Sequence, residues 1–287
     1  MSGKSPLGLR LMAAGALCFS LMSALAKLAG ASVPLFEVVL ARSMVVAALS
    51  GISLVRSGQG FRGKEPRLLL VRGVLGFGAL SSFYYAVVHL PLADATVLQF
   101  TNPVWTAFAA ALFLGEVIGL REALLGLASL GGVVMVARPS FLFGHTSALD
   151  PVAVGIGLFG AFLTGAAYVV VRRLRGEPPM LIVFYFACVS TLASVPPVAA
   201  HPVVPSLHIL LVLLGVGLAA HLGQAFLTWA FRLEQAGRTS AVGYLQIVFA
   251  AGWGFLMFDE VPDVWTWTGA GIVVFSTLVL IRSKSRP

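Results

Sequence analysis

Long apolar runs, broken by short charged or Pro/Gly-rich segments, fill the chain from residue 7 to residue 281. Read against those breaks, the pattern predicts ten helices, at 7–28, 35–55, 68–89, 93–114, 121–138, 151–171, 180–199, 206–231, 238–258 and 264–281. Most run to about 20 residues, the length that crosses a hydrocarbon core of roughly 30 Å. Lipid offers no water to satisfy backbone N–H and C=O groups, so each such segment closes its bonds within itself as an α-helix. Connections as short as 90–92 and 115–120 make neighbouring helices antiparallel. An even count of spans puts both termini on one side.

Charge placement orients the bundle. With the N-terminus in the cytoplasm, 16 of the 19 basic residues fall in cytoplasmic segments or at cytoplasmic helix ends, Arg72 among them. Lys27, Arg42 and Arg138 are the exceptions. This is the positive-inside bias, and eight or nine spans would scramble it. Composition agrees: 59% of the 287 residues are hydrophobic and 10% are charged, against roughly 25% charged in soluble domains. The net charge of +8 forms no face or stripe, which excludes nucleic acid as a partner. Cys18 and Cys188 stand alone in apolar runs, as packing residues do, with no disulfide framework between them. Residues 6–28 are too long for a signal peptide and read as the first span.

Five spans precede residues 139–150 and five follow. An odd number per half turns a duplicated unit upside down relative to the first. Shifting residues 90–117 by 144 lays them on 234–261, with Val104/Val248, Ala107/Ala251, Leu112/Leu256, Glu116/Glu260 and Val117/Val261 identical. Arg138 and Arg282 correspond in the same way. The expected architecture is therefore an all-α integral membrane protein, a single membrane domain over 1–287. Its ten transmembrane helices form two inverted five-helix repeats, 7–138 and 151–281.

A fourth helix that begins PLADATV, carries Pro103 and ends LGE, followed by a Gly-rich helix ending VARP, resembles the drug/metabolite transporter superfamily. The EamA-like branch with ten helices is the most similar. Arg42 in LFEVVLARS and Lys27 at the end of the first helix fit its pattern, and the likeness is strongest over 67–139. It implies two inverted halves, a central cavity lined mainly by helices 1, 3, 4, 6, 8 and 9, and alternating access without ATP. The second half departs from that pattern: Ile247 stands opposite Pro103, and Asp259 opposite Gly115. The ninth helix therefore has no proline to bend it.

Polar residues recur on single helix faces in five of those six helices. His221, Gln224 and Thr228 share a face of the eighth, and Gln99, Asn102 and Thr106 share one of the fourth. Ser20 and Ser23, Ser81 and Tyr85, and Thr164 and Tyr168 do so in the first, third and sixth. Tyr84, Trp105 and Tyr244 add mid-span rings, which either pack or stack on a planar ligand. The candidate substrate-binding set is thus Ser20, Ser81, Tyr84, Tyr85, Gln99, Asn102, Trp105, Thr164, Tyr168, His221, Gln224, Thr228 and Tyr244, with Pro103 as a candidate gating hinge. Each hydroxyl or amide also suits a structural hydrogen bond between helices. Lys27, Glu37 and Arg42, near the outer ends of the first two helices, read as snorkelling groups or as an ion pair holding that hairpin. Glu116 and Glu260 read as structural or gating groups, and Trp265 and Trp267 as interfacial anchors.

No acidic residue lies mid-span, which argues against a simple carboxylate proton relay. His221 is the one mid-span group that titrates near neutral pH, as a proton carrier or as a hydrogen-bonding partner. No HExxH site, paired carboxylates or P-loop is visible, so no catalytic residue, metal or cofactor is expected. The expected function is export of small metabolites across the bacterial inner membrane, amino acids first, aromatic ones included. Import of an adenosyl or amino-acid metabolite, or drug export, stands beside it. The expected cavity is mostly uncharged, which argues against polyphosphates. The expected partners are a small-molecule substrate and the lipid bilayer, the protein being a monomer with both termini cytoplasmic.

Overall fold

The computed structural model describes residues 7–102, 104–106, 108–109, 120–137, 149–233 and 242–283. Ten α-helices run through them: α1 (Leu7–Gly30), α2 (Leu35–Arg56), α3 (Pro66–His89), α4 (Leu92–Gln99), α5 (Leu120–Ala137), α6 (Pro151–Arg173), α7 (Pro179–Ala200), α8 (Leu207–Leu233), α9 (Leu245–Phe258) and α10 (Val264–Ser283). No strand occurs among the described residues. Local chemistry sets several starts. Pro66, Pro151 and Pro179 open their helices, where a missing N–H costs nothing. The Asp150 carboxylate accepts the Val152 N–H at 3.0 Å, capping α6.

Helices α1, α2, α3, α6, α7 and α8 each hold a stretch long and apolar enough to cross a bilayer. Their outward faces carry exposed Leu70, Val74, Phe159, Leu211, Leu218 and Leu222. In water such a surface would aggregate; in a membrane it is the face that meets the acyl chains.

The two halves are related element by element. α6, α7 and α10 begin 144 residues after α1, α2 and α5. Packing follows the same rule. α1 lies on α8, and their counterparts α6 and α3 lie on each other. α2 packs on α7 and α5 on α10; α1–α9 is matched by α6–α4, and α2–α8 by α7–α3. Exchanging the halves leaves this pattern unchanged, which is a pseudo-two-fold relation. With five helices per half the relation is inverted, and its axis lies in the membrane plane.

Residues 144 positions apart touch each other only where that axis passes. Two such pairs do. The Arg42 guanidinium lies over the Phe186 ring, Cζ 5.4 Å from the centroid. The rings of Phe100 and Tyr244 meet with centroids 5.0 Å apart. Arg42 stands about 10 Å along α2 from its first residue, and Phe186 the same distance along α7, at 1.5 Å per residue. Their side chains therefore meet near mid-depth.

Two expectations are corrected here. The fourth helix was predicted unbroken over 93–114 with a bend at Pro103. Instead, α4 stops at Gln99, Phe100 and Thr101 form a turn, and helix resumes at Asn102. A proline at 103 has no N–H to give the carbonyl four residues back. The Asn102 side-chain amide fills that role, donating to the Gln99 carbonyl at 2.8 Å. Pro103 itself lies outside the described residues, as do Gly115, Glu116 and Arg138. The ninth helix, predicted over 238–258 with no proline to bend it, also breaks, at Tyr244. Tyr244 is the counterpart of Phe100. Ile247 occupies the proline position, so no proline causes this second break. Both breaks share the contact between the two rings.

Candidate functional site at the interface of the two halves

At mid-depth α2, α3 and α7 converge on four side chains. Arg42 is 3% exposed, and Tyr84 of α3 is buried beside it. Phe186 of α7 presents its ring to Arg42 and also to Arg72 of α3, whose Cζ lies 4.7 Å from the centroid. The two guanidinium groups thus share one aromatic platform. Gly76, one turn beyond Arg72, makes the room: a Cβ there would collide with the Arg72 guanidinium and the Phe186 ring. Nε and Nη1 of both arginines are shut off from the surface and have no hydrogen-bond partner. The Tyr84 hydroxyl is likewise buried, within reach of the Arg42 guanidinium.

This overturns the expectation of a hairpin ion pair among Lys27, Glu37 and Arg42. Lys27 pairs with Glu260 and donates to the Leu90 carbonyl at 2.6 Å. The second Glu260 oxygen accepts the Leu92 N–H at 2.8 Å. Together they tie the end of α1 to the α3–α4 and α9–α10 connections, at the end of the bundle away from the N-terminus. Glu37 accepts the Val203 N–H at 2.9 Å. Arg42 turns inward. The expected uncharged lining is corrected as well, since two cations enter it. A signal for Arg42 was present: it continues the stripe Val38, Val39, Ser43, Val46, Ser50 and Leu54 that α2 buries.

A second cluster joins α4 to α6. Gln99 Nε2 donates to Thr164 Oγ1 at 3.1 Å, while its Oε1 is buried without a partner. Thr164 in turn donates to the Gly160 carbonyl. Just beyond the break, Trp105 Nε1 donates to Thr101 Oγ1 at 3.2 Å, and its ring meets Phe162 edge-on at 6.0 Å. Thr106 bonds back to the Asn102 carbonyl. Tyr244 of the second half packs on Phe100 beside this cluster.

The remaining candidates are spread more widely. Ser20 accepts from Trp253 Nε1 at 3.2 Å and donates to the Leu17 carbonyl, linking α1 to α9. Ser81 Oγ is buried and unpartnered. Tyr85 stacks on the exposed His89 at 4.0 Å, towards the end of α3. Tyr168 is 45% exposed and within electrostatic reach of Arg72. On α8, Gln224 and Thr228 are half-buried, the Thr228 hydroxyl bonding back to the Gln224 carbonyl. His221 Nδ1 is buried without a partner. A cleft of about 140 Å³ lies by the α9–α10 connection, lined by Pro91, Asp94, Glu260 and Thr266. Thr266 donates to the Asp94 carboxylate there at 2.7 Å. No group of His, Cys, Asp and Glu suited to a metal ion occurs among the described residues.

The sequence profile of the EamA-like transporter family matches residues 6–138 and, a second time, residues 152–282. Among characterised relatives, the pseudopaline exporter CntI of Pseudomonas aeruginosa is 37% identical over 279 residues, covering 96% of both chains. Human solute carrier family 35 member G1 is 32% identical over 238 residues, covering 78% of this chain and 64% of its own. An S-adenosylmethionine uptake transporter of Rickettsia bellii is 27% identical over 222 residues, covering 77% of this chain and 75% of its own. One crystal structure superposes with a TM-score of 0.62 at 18% identity, covering 95% of this chain and 99% of that one, which is a likeness of fold.

Proposed function

Because the chain belongs to the EamA-like transporter family, we propose that it is a secondary transporter exporting small metabolites by alternating access, amino acids being the first class to test. The observation that carries this reading is the concentration of unpartnered buried polar atoms where the halves meet. Arg42, Arg72 and Gln99 all contribute one or more. Substrate sites of inverted-repeat transporters lie near mid-depth at such an interface. Residues 7–138 and 151–281 are the units that rock against each other, the inner membrane of a bacterium is the location, and both termini face the cytoplasm. Export is favoured by the Pseudomonas relative, named an exporter and 37% identical. Uptake is the second reading, supported by the Rickettsia relative at 27%.

The test is uptake of labelled amino acids into proteoliposomes, with and without an imposed pH gradient. Saturable uptake competed by a defined subset is expected. Gln224→Ala and Tyr85→Ala are each expected to cut the rate severalfold with expression unchanged. Uptake that needs the gradient would assign His221 to proton coupling. No uptake of any amino acid by folded protein would remove that class.

A further inference from the structure

Two arginines at mid-depth carry charge that no described residue balances. Arg42 and Arg72 have no ion pair or hydrogen bond to any described carboxylate. The buried carboxylates of Glu37, Asp94 and Glu177 are engaged elsewhere: with the Val203 N–H, the Thr266 hydroxyl and the Glu65 N–H. An unpaired cation inside a membrane is expensive, and two that share a ring also repel each other. The contact with Phe186 offsets part of that cost. It leaves Nε and Nη1 of each without an acceptor.

Those donors are Nε and Nη1 of two guanidinium forks; they lie on different edges of each plane, so each is a separate charge-assisted donor to a carboxylate oxygen. The forks stand 5.4 and 4.7 Å from one centroid, so they share a space no wider than the sum of those distances. We infer that the cargo supplies the missing counter-charge: the site takes a small organic acid whose carboxylates are held by Arg42 and Arg72 across the Phe186 ring. This rests on the transport reading and sharpens its substrate class. A neutral amino acid fits less well, because its ammonium group would lie beside two cations with no described acid to receive it. A net anion, with two carboxylates spaced by an apolar or aromatic middle, matches the charges and the ring together.

Thermal unfolding of the full-length protein in lipid nanodiscs tests this with four probes at matched ionic strength: N-carboxymethyl-phenylalanine, its diamide, phenylalanine and inorganic phosphate. The dicarboxylate is expected to raise the midpoint saturably, at concentrations about tenfold below those phenylalanine needs, while the diamide does nothing. Arg42→Gln and Arg72→Gln are each expected to weaken the dicarboxylate about tenfold to a hundredfold. Arg42→Lys and Arg72→Lys should fall in between, retaining charge without the fork. A response to phenylalanine or the diamide equal to that for the dicarboxylate overturns the inference, as does a stronger response to phosphate or none to the dicarboxylate. These comparisons need only the unaltered protein, so a variant that fails to fold leaves them decisive. Saturable uptake of phenylalanine without dicarboxylate binding preserves the transport reading and removes this one. Arginine-dependent dicarboxylate binding without transport of any probe does the reverse.

Discussion

Asp259 closes α9 in the left-handed conformation, with φ of 54°. That region costs an L-residue with a Cβ about 1–2 kcal/mol, and Asp tolerates it better than most. The corresponding residue of the first half is Gly115, the type that adopts it freely. Asp259→Gly is expected to raise stability by up to about 1 kcal/mol, and Asp259→Val to lower it by about 1–2 kcal/mol, read as opposite shifts of the unfolding midpoint. This position was visible in the sequence as a departure from the first half, but its backbone angle was not. The arginines show the same boundary. A basic residue within two turns of a helix end reads as a snorkelling group, because hydropathy counting is blind to which way a long side chain turns. Neighbouring helices decide that: the opening at Gly76 and the ring of Phe186 draw Arg72 inward. The stripe on α2 was enough to place Arg42 on a buried face, though not to name Tyr84 and Phe186 as its neighbours.

Among the elements, the ties at the helix ends are what the spacing of residues conveyed least. Lys27 and Glu260 are 233 residues apart, and their pairing follows from α1 packing against α9. Both side chains are largely shielded, at 13% and 21% exposure, so the pair is screened less than a surface one. Glu260→Gln is expected to lower stability by about 1–2 kcal/mol, between the ranges for exposed and buried pairs. The exchange Lys27→Glu with Glu260→Lys is expected to recover part of the loss, since it restores the attraction but not the hydrogen bonds to Leu90 and Leu92. A double-mutant cycle of unfolding midpoints measures the difference. The breaks at Phe100 and Tyr244 were half legible. Pro103 announced a disturbance in the fourth helix. No proline announced one in the ninth, where the contact that accompanies the break comes from the other half of the chain.

For the whole molecule, the repeat was the most readable feature and the pairing of helices the least. Apolar runs give the number and length of the spans, and an odd count per half gives the inversion. Which helix lies on which is a matter of shape, and the main partnerships, α1–α8, α3–α6, α2–α7 and α5–α10, all cross between halves. Neither half keeps these main partners when alone. Cutting the chain between residues 144 and 145 and producing both fragments together is therefore expected to yield a stable complex that co-purifies. Either fragment alone should be degraded. Recovery of one folded half by itself would contradict the interlocked arrangement.

The Lys27–Glu260 clasp has a further consequence. Under the exchange of halves Glu260 maps onto Glu116, but Lys27 maps onto Val171. The lysine of the clasp is thus not repeated at the corresponding position of the second half. In a machine made of two near-copies, the posture open at one mouth and the posture open at the other are close to degenerate, and only the unshared contacts tilt the balance. Each 1.4 kcal/mol of such tilt is about a tenfold bias in how the empty protein idles. The clasp ties three connections together at the end of the bundle away from the N-terminus, so a change there bears directly on that balance. Loosening it would leave what the protein carries untouched and alter which side it listens to at rest.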